Sequence, residues 1–167
     1  MATLEIRRHA ERGAGAVLSP AGVRAAEALA RGAPRYAVVT SSPLPRAMET
    51  ARLVGGRLDG TEPALLPDLA QLVQLRTIEE HASLLGEARE RELAREQAAA
   101  WARIAGAAGR GHALAIGHGG AIELGALVVA RALGTALSGP ALSFLDGFRV
   151  RYESDRPVAI EVVRAPR

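Results

Sequence analysis

Short β-rich apolar runs alternate along this chain with stretches at helical spacing, and three of the runs end in Arg or His. Leu4-Glu5-Ile6-Arg7 leads into Arg8-His9. Ala37-Val38-Val39-Thr40 leads into Ser41-Ser42-Pro43-Leu44-Pro45-Arg46. Ala113-Leu114-Ala115-Ile116 leads into Gly117-His118-Gly119-Gly120. Strands alternating with helices predict a three-layer α/β/α sandwich with a mostly parallel central sheet. In an open sheet of that kind the strand C-termini share one crevice, and ligands bind there. Two Arg and two His in such a crevice suit a small dianion, with phosphate the first choice.

The remaining elements follow from local signals. Pro20–Arg31 has Ala and Leu at helical spacing, with Ser19 as N-cap and Pro20 in the first helical position. Leu44–Val54 reads as a helix stopped by Gly55-Gly56, and Ala64–Leu66 as a short strand. From Thr77 to Ala105 the chain is rich in helix formers, and Glu87–Glu92 reads as an exposed face with intrahelical ion pairs. Gly120–Leu133 follows as a helix with an apolar stripe. Leu142–Glu153 and Val158–Val163 alternate as an antiparallel edge pair would. The 167 residues are expected to form a single domain.

Composition narrows the function classes. There is no Cys, so thiolate metal sites, disulfides and Cys nucleophiles are excluded. All 21 basic residues are Arg, and the net charge is +3. These Arg are scattered among acidic residues, and aromatics are only 3%, too few for stacking platforms, so no nucleic-acid partner is expected. No apolar run reaches membrane-spanning length and no signal peptide is seen, so a cytoplasmic protein is expected. A P-loop lacks its Lys, a zincin its His-Glu-x-x-His, and a serine hydrolase its Gly-x-Ser-x-Gly.

The ordered motifs Arg8-His9, Ser41-Ser42-Pro43 with Arg46-Ala47 and Thr50-Ala51, and Gly117-His118 resemble the histidine phosphatase superfamily, which includes the cofactor-dependent phosphoglycerate mutases. Leu18-Ser19-Pro20-Ala21-Gly22 also resembles the helix that follows the family's first motif. The resemblance spans nearly the whole chain, and its length is similar to the short phosphatases, phosphohistidine phosphatases among them. It implies a phosphoglycerate mutase-like fold and a phosphatase working through a phosphohistidine on His9. It implies that Arg8 and Arg46 clamp the phosphoryl oxygens, that His118 stabilises their developing charge, and that Gly119 belongs to the phosphate site. No metal and no cofactor are expected, since Arg and His supply the positive charge. The implied partner is a small phosphomonoester or a phosphohistidine protein.

Two departures from the family pattern bear on the substrate. Phosphomonoesterase members carry a Glu general acid, where this chain aligns Gln71. Asp68, Glu79 and Glu80 are the substitute candidates. Beyond His9 the chain has Ala10 and runs on through Arg12-Gly13-Ala14-Gly15 without the mutases' phosphate-holding Asn. A missing acid favours activated donors such as phosphohistidine, whose leaving group departs without help. Two further readings stand: a catalytically weak anion-binding or regulatory domain, and a mutase-type phosphotransferase. His81 and His112 match no motif and read as structural. Glu123 reads as a solvated residue, and Ser42 as a helix cap more than a phosphate contact.

Overall fold

The structure is a computed structural model that describes residues 1–66 and 75–166. Six strands form one sheet in the order β3-β2-β4-β1-β5-β6. β1 (Ala2–Arg8), β2 (Tyr36–Ser41), β3 (Gly60–Thr61) and β4 (His112–Gly117) run parallel. β5 (Gly147–Glu153) and β6 (Arg156–Val163) add an antiparallel edge. The sheet is therefore mostly parallel with helices on its faces, as the alternating pattern predicts.

Alternation along β4 builds the two core layers. Ala113 and Ala115 face one side, with Leu4, Ile6, Trp101, Ile104 and Ile122. Leu114 and Ile116 face the other, with Ala26, Val39, Ala47 and Ala51. α4 (Ala88–Ala107) and α5 (Ala121–Ala132) cover the first face, and α1 (Pro20–Arg31) and α2 (Pro45–Gly55) the second. Successive strand residues point to opposite faces, so a parallel strand buried on both sides carries apolar residues throughout. With so few aromatics, Ala and Gly let the layers approach closely. Gly125 lies against the Trp101 ring, where even a Cβ would sit 2.9 Å from it.

α1 begins as its sequence predicts. The Ser19 hydroxyl accepts from the Gly22 amide at 2.9 Å, and Pro20 occupies the first turn. α2 ends at Gly56, whose φ of 72° is left-handed.

Three segments differ from expectation. Pro63–Leu65 is a single 3-10 turn rather than a strand, because the Glu62 carboxylate caps the Ala64 amide and Pro63 fixes the turn. The long helical stretch is broken into α3 (Ile78–Leu84) and α4 at Leu85–Glu87, where Arg91 donates to the Leu85 and Gly86 carbonyls. Within that acidic-basic run Glu90 is buried, so the face is not wholly solvated. Finally, β5 starts at Gly147, not Leu142. Leu145 has φ 64°, and the Asp146 carboxylate binds the Ser143 and Ala165 amides, so residues 142–146 form a hook over the end of β1. A Cβ on Gly147 would run into the Ile6 carbonyl oxygen, so the hook meets β1 backbone to backbone. Among the described residues no helix is long and apolar enough to cross a membrane.

Candidate active site

The crevice lies at the C-terminal ends of β1, β2 and β4. β1 and β4 pair in register up to Arg8 and Gly117, so the residues that follow, His9 and His118, emerge side by side. Their ring centroids are 5.1 Å apart. His9 is 5% exposed and His118 6%, so each has only a narrow opening to solvent.

Arg46, from the first turn of α2, reaches both rings. Its Nε donates to Nε2 of His9 at 3.1 Å, and its Nη2 lies 3.4 Å from Nδ1 of His118. The opposite nitrogen of each ring is anchored. Nδ1 of His9 lies 2.7 Å from the Ala10 carbonyl, which can only accept, so Nδ1 carries the proton and Nε2 the lone pair. Nε2 of His118 lies 2.7 Å from the Ser42 hydroxyl; with Nδ1 facing the Arg46 guanidinium, the assigned proton is on Nε2. Burial, joined by the guanidinium groups of Arg46, Arg8 and Arg12, pushes the His9 pKa down to about 4, against the opposing hydrogen bond to Ala10. Burial, then His9, Arg46 and Arg8, pushes His118 down to about 3. Both rings are therefore neutral at pH 7.

Arg8 completes the cluster. Its Nη1 donates to the Leu142 carbonyl at 2.7 Å, and its guanidinium carbon sits 4.5 Å from the Phe144 ring centroid. Phe144 also packs on His9, with ring centroids 5.7 Å apart. Burial lowers the Arg8 pKa, while the carboxylates of Glu123 and Asp146 counter that shift. Gly119 lies under this side chain: a Cβ there would come within 3.1 Å of Arg8 Nη1. Gly119 thus admits Arg8, and no side chain could replace it without moving the guanidinium.

Glu123 is buried, not solvated. Its carboxylate accepts from the Gly120 amide at 2.7 Å and from the Leu142 amide at 2.9 Å. One side chain thereby ties the turn after His118 to the hook that holds Arg8. It also uses up the Gly120 amide, one of the free N–H groups that a helix start offers to an anion. Thr50 makes a similar tie elsewhere: its hydroxyl accepts from the Ala10 amide and donates to the Arg46 carbonyl.

The structure thus brings Arg8, His9, Arg46, His118 and Gly119 together. Asp68 and Gln71 lie outside the described residues. The Glu79 carboxylate accepts from the Gly139 amide, and Glu80 closes a capping box with Thr77 at the start of α3. Sequence reasoning missed Phe144, the role of Glu123 and the Ser42–His118 bond. Only Ser42 had a usable signal, two residues past the end of an apolar strand.

Residues 4–73 match the profile of the histidine phosphatase superfamily, branch 1. Over that segment, under half of the chain, the sequence is similar to that superfamily. The matched segment carries Arg8, His9 and Arg46, and His118 lies beyond it. Its fold is similar to a phosphoserine phosphatase from Entamoeba histolytica in complex with 3-phosphoglyceric acid, at TM-score 0.69 and 17% identity over 95% of this chain and 94% of that one. A phosphoglycerate mutase from Bacillus anthracis gives 0.68 at 19% identity, over 97% and 92%. A mycobacterial glucosyl-3-phosphoglycerate phosphatase in complex with VO3 gives 0.66 at 20% identity, over 99% and 100%. At these identities the likeness is one of fold. No curated protein matched the chain.

Proposed function

We propose that this chain is a metal-independent phosphatase that carries the phosphoryl group on Nε2 of His9. One observation carries the reading. Nδ1 of His9 is committed to the Ala10 carbonyl, while Nε2 presents its lone pair to the Arg46 guanidinium at 3.1 Å. A neutral imidazole with its free nitrogen beside fixed cations is a nucleophile set at the edge of an anion site.

Phosphoryl oxygens would take over the N–H donors of Arg46 that now face the two rings, which frees Nε2. Nε2 then attacks phosphorus in line, the bond to the leaving group breaks, and the leaving group departs with a proton. Arg8 and Arg46 hold the equatorial oxygens, where charge accumulates. A bound dianion favours protonation of His118, whose Nδ1 faces Arg46 and the phosphoryl site while Nε2 stays on Ser42. In the second half water attacks phosphorus, the N–P bond breaks, and phosphate leaves with His9 neutral again. The positive charge comes from side chains, so no metal enters either step. The substrate is a small phosphomonoester or a phosphohistidine protein, and the site itself is common to both.

The test is turnover of an aryl phosphate together with trapping of the adduct. Wild type should hydrolyse it and yield an acid-labile, base-stable phosphoryl adduct, and His9→Ala should lose both. Vanadate binding without turnover would favour the anion-binding domain instead. Transfer to a second substrate hydroxyl faster than to water would favour the mutase.

A further inference from the structure

A cavity of about 80 Å3 lies beside Arg8 at the start of the hook. Arg8, Gly119 and Glu123 form one wall, and Leu75, His81 and Leu142 stand against them. Arg8 and Gly119 are the chain neighbours of His9 and His118, so the cavity shares two residues with the cluster around the two rings. Two features of its lining have no use in the fold. Among the described residues the buried Nε of Arg8 has no hydrogen-bond partner. A buried donor without a partner costs on the order of 1–3 kcal/mol, which a ligand can offset. The second is His81, read from the sequence as structural, whose ring is only 1% exposed yet is anchored at one nitrogen alone.

His81 has one anchored nitrogen. Its Nδ1 lies 2.8 Å from the Thr77 carbonyl, one turn earlier on α3. A carbonyl only accepts, so Nδ1 carries a proton, and Nε2 is the nitrogen left to exchange one with a ligand. Among the described residues Nε2 has no hydrogen-bond partner. The charged groups that share the cavity with it are Arg8 from β1 and Glu123 from α5, one of each sign. On its own helix, Glu79 and Glu80 are exposed and turn their carboxylates to backbone amides.

We propose that this cavity receives the leaving group of the substrate and that Nε2 of His81 is its proton donor. The inference rests on the phosphatase reading above. In the first step Nε2 of His9 bonds to phosphorus, the bond from phosphorus to the leaving atom breaks, and the proton on Nε2 of His81 passes to that atom. In the second, attacking water gives a proton back to Nε2 of His81 as the N–P bond breaks. The leaving group is an alcohol or a nitrogen base, since either takes up the proton that the imidazolium gives. His81 supplies the function that Gln71 could not.

His81→Asn tests this, because an Asn side-chain amide can keep the bond to the Thr77 carbonyl while Nε2 is lost. Wild type should hydrolyse ethyl phosphate and 4-nitrophenyl phosphate with a shallow dependence of kcat/KM on leaving-group pKa. In the variant, kcat/KM for ethyl phosphate should fall by about 10²-fold or more, and for nitrophenyl phosphate by less than about threefold. Vanadate affinity should stay the same, which a general structural lesion would not allow. An equal fall for both substrates, or no fall for either, would overturn the assignment of His81 alone. A wild-type protein that hydrolyses neither ester would overturn the phosphatase reading and this inference with it.

Discussion

The Ser42 hydroxyl and Nε2 of His118 are 2.7 Å apart, and both residues are buried. This bond fixes which His118 nitrogen faces Arg46. Ser42 also lies 3.4 Å from the Leu44 amide, so the same hydroxyl steadies the start of α2, which carries Arg46.

Ser42→Ala should therefore lower kcat/KM about tenfold, the weight of one net hydrogen bond in the transition state. The loss should fall mainly on kcat, because the role proposed for His118 is at the oxygens where charge develops. Steady-state kinetics on an aryl phosphate, with Tm as a control for folding, decides it. A change in KM alone would show that Ser42 only helps binding.

Glu123→Gln should destabilise the protein. The carboxylate accepts two backbone N–H bonds, whereas an amide can accept with only one end and must turn its NH2 group toward the other donor. One buried donor left without an acceptor costs about 1–3 kcal/mol. Thermal unfolding should show a Tm lower by roughly 2–10 °C. An unchanged Tm would mean that the hook and the turn after His118 are held by other contacts.

Stability should decline on mild acidification. His9 and His118 have folded pKa values of about 4 and 3, below the unfolded value near 6.5. Between those limits the unfolded chain binds more protons than the folded one, so stability rises with pH there and is fully present above about 6.5. Glu5 and Asp146 act in the same direction at lower pH. Burial would raise both, but Arg7 and Arg149 at Glu5, and the Ala165 amide and Arg164 at Asp146, hold them below the usual carboxylate range. Urea unfolding from pH 7 to pH 4.5 separates the histidines from the carboxylates. A double variant of His9 and His118 to Gln should flatten that part of the profile.

Turnover should survive dialysis against EDTA. Arg8 and Arg46 already supply fixed positive charge at the two histidines. The measurement is the rate on an aryl phosphate before and after chelation. Restoration of a lost rate by Mg²⁺ alone would require another mechanism.

The parts of the site that were legible beforehand are those a strand delivers directly. Arg8, His9 and His118 follow apolar runs, and parallel register does the rest. Ser19 and Pro20 announced α1 because a cap is a local device. What stayed hidden depends on the distant return of the chain. Phe144 reaches His9 only because Leu145 adopts a left-handed conformation and bends the hook back over β1. Glu123 looked solvated because its partners, the Gly120 and Leu142 amides, leave no trace in side-chain patterning. Ala64–Leu66 looked like a strand because its apolar residues outweighed the capping geometry of Glu62.

The backbone contact between Gly147 and Ile6 has a consequence for anyone reading mutational data on this chain. In a saturation library selected for activity, position 147 should tolerate glycine alone, as sharply as position 9 tolerates histidine. The two blank columns would look alike, yet under the proposed function only one marks chemistry. The other marks how closely one strand must pass another for the hook to reach His9. Selecting the same library for folding instead of turnover would tell them apart, since only position 9 would then fill in.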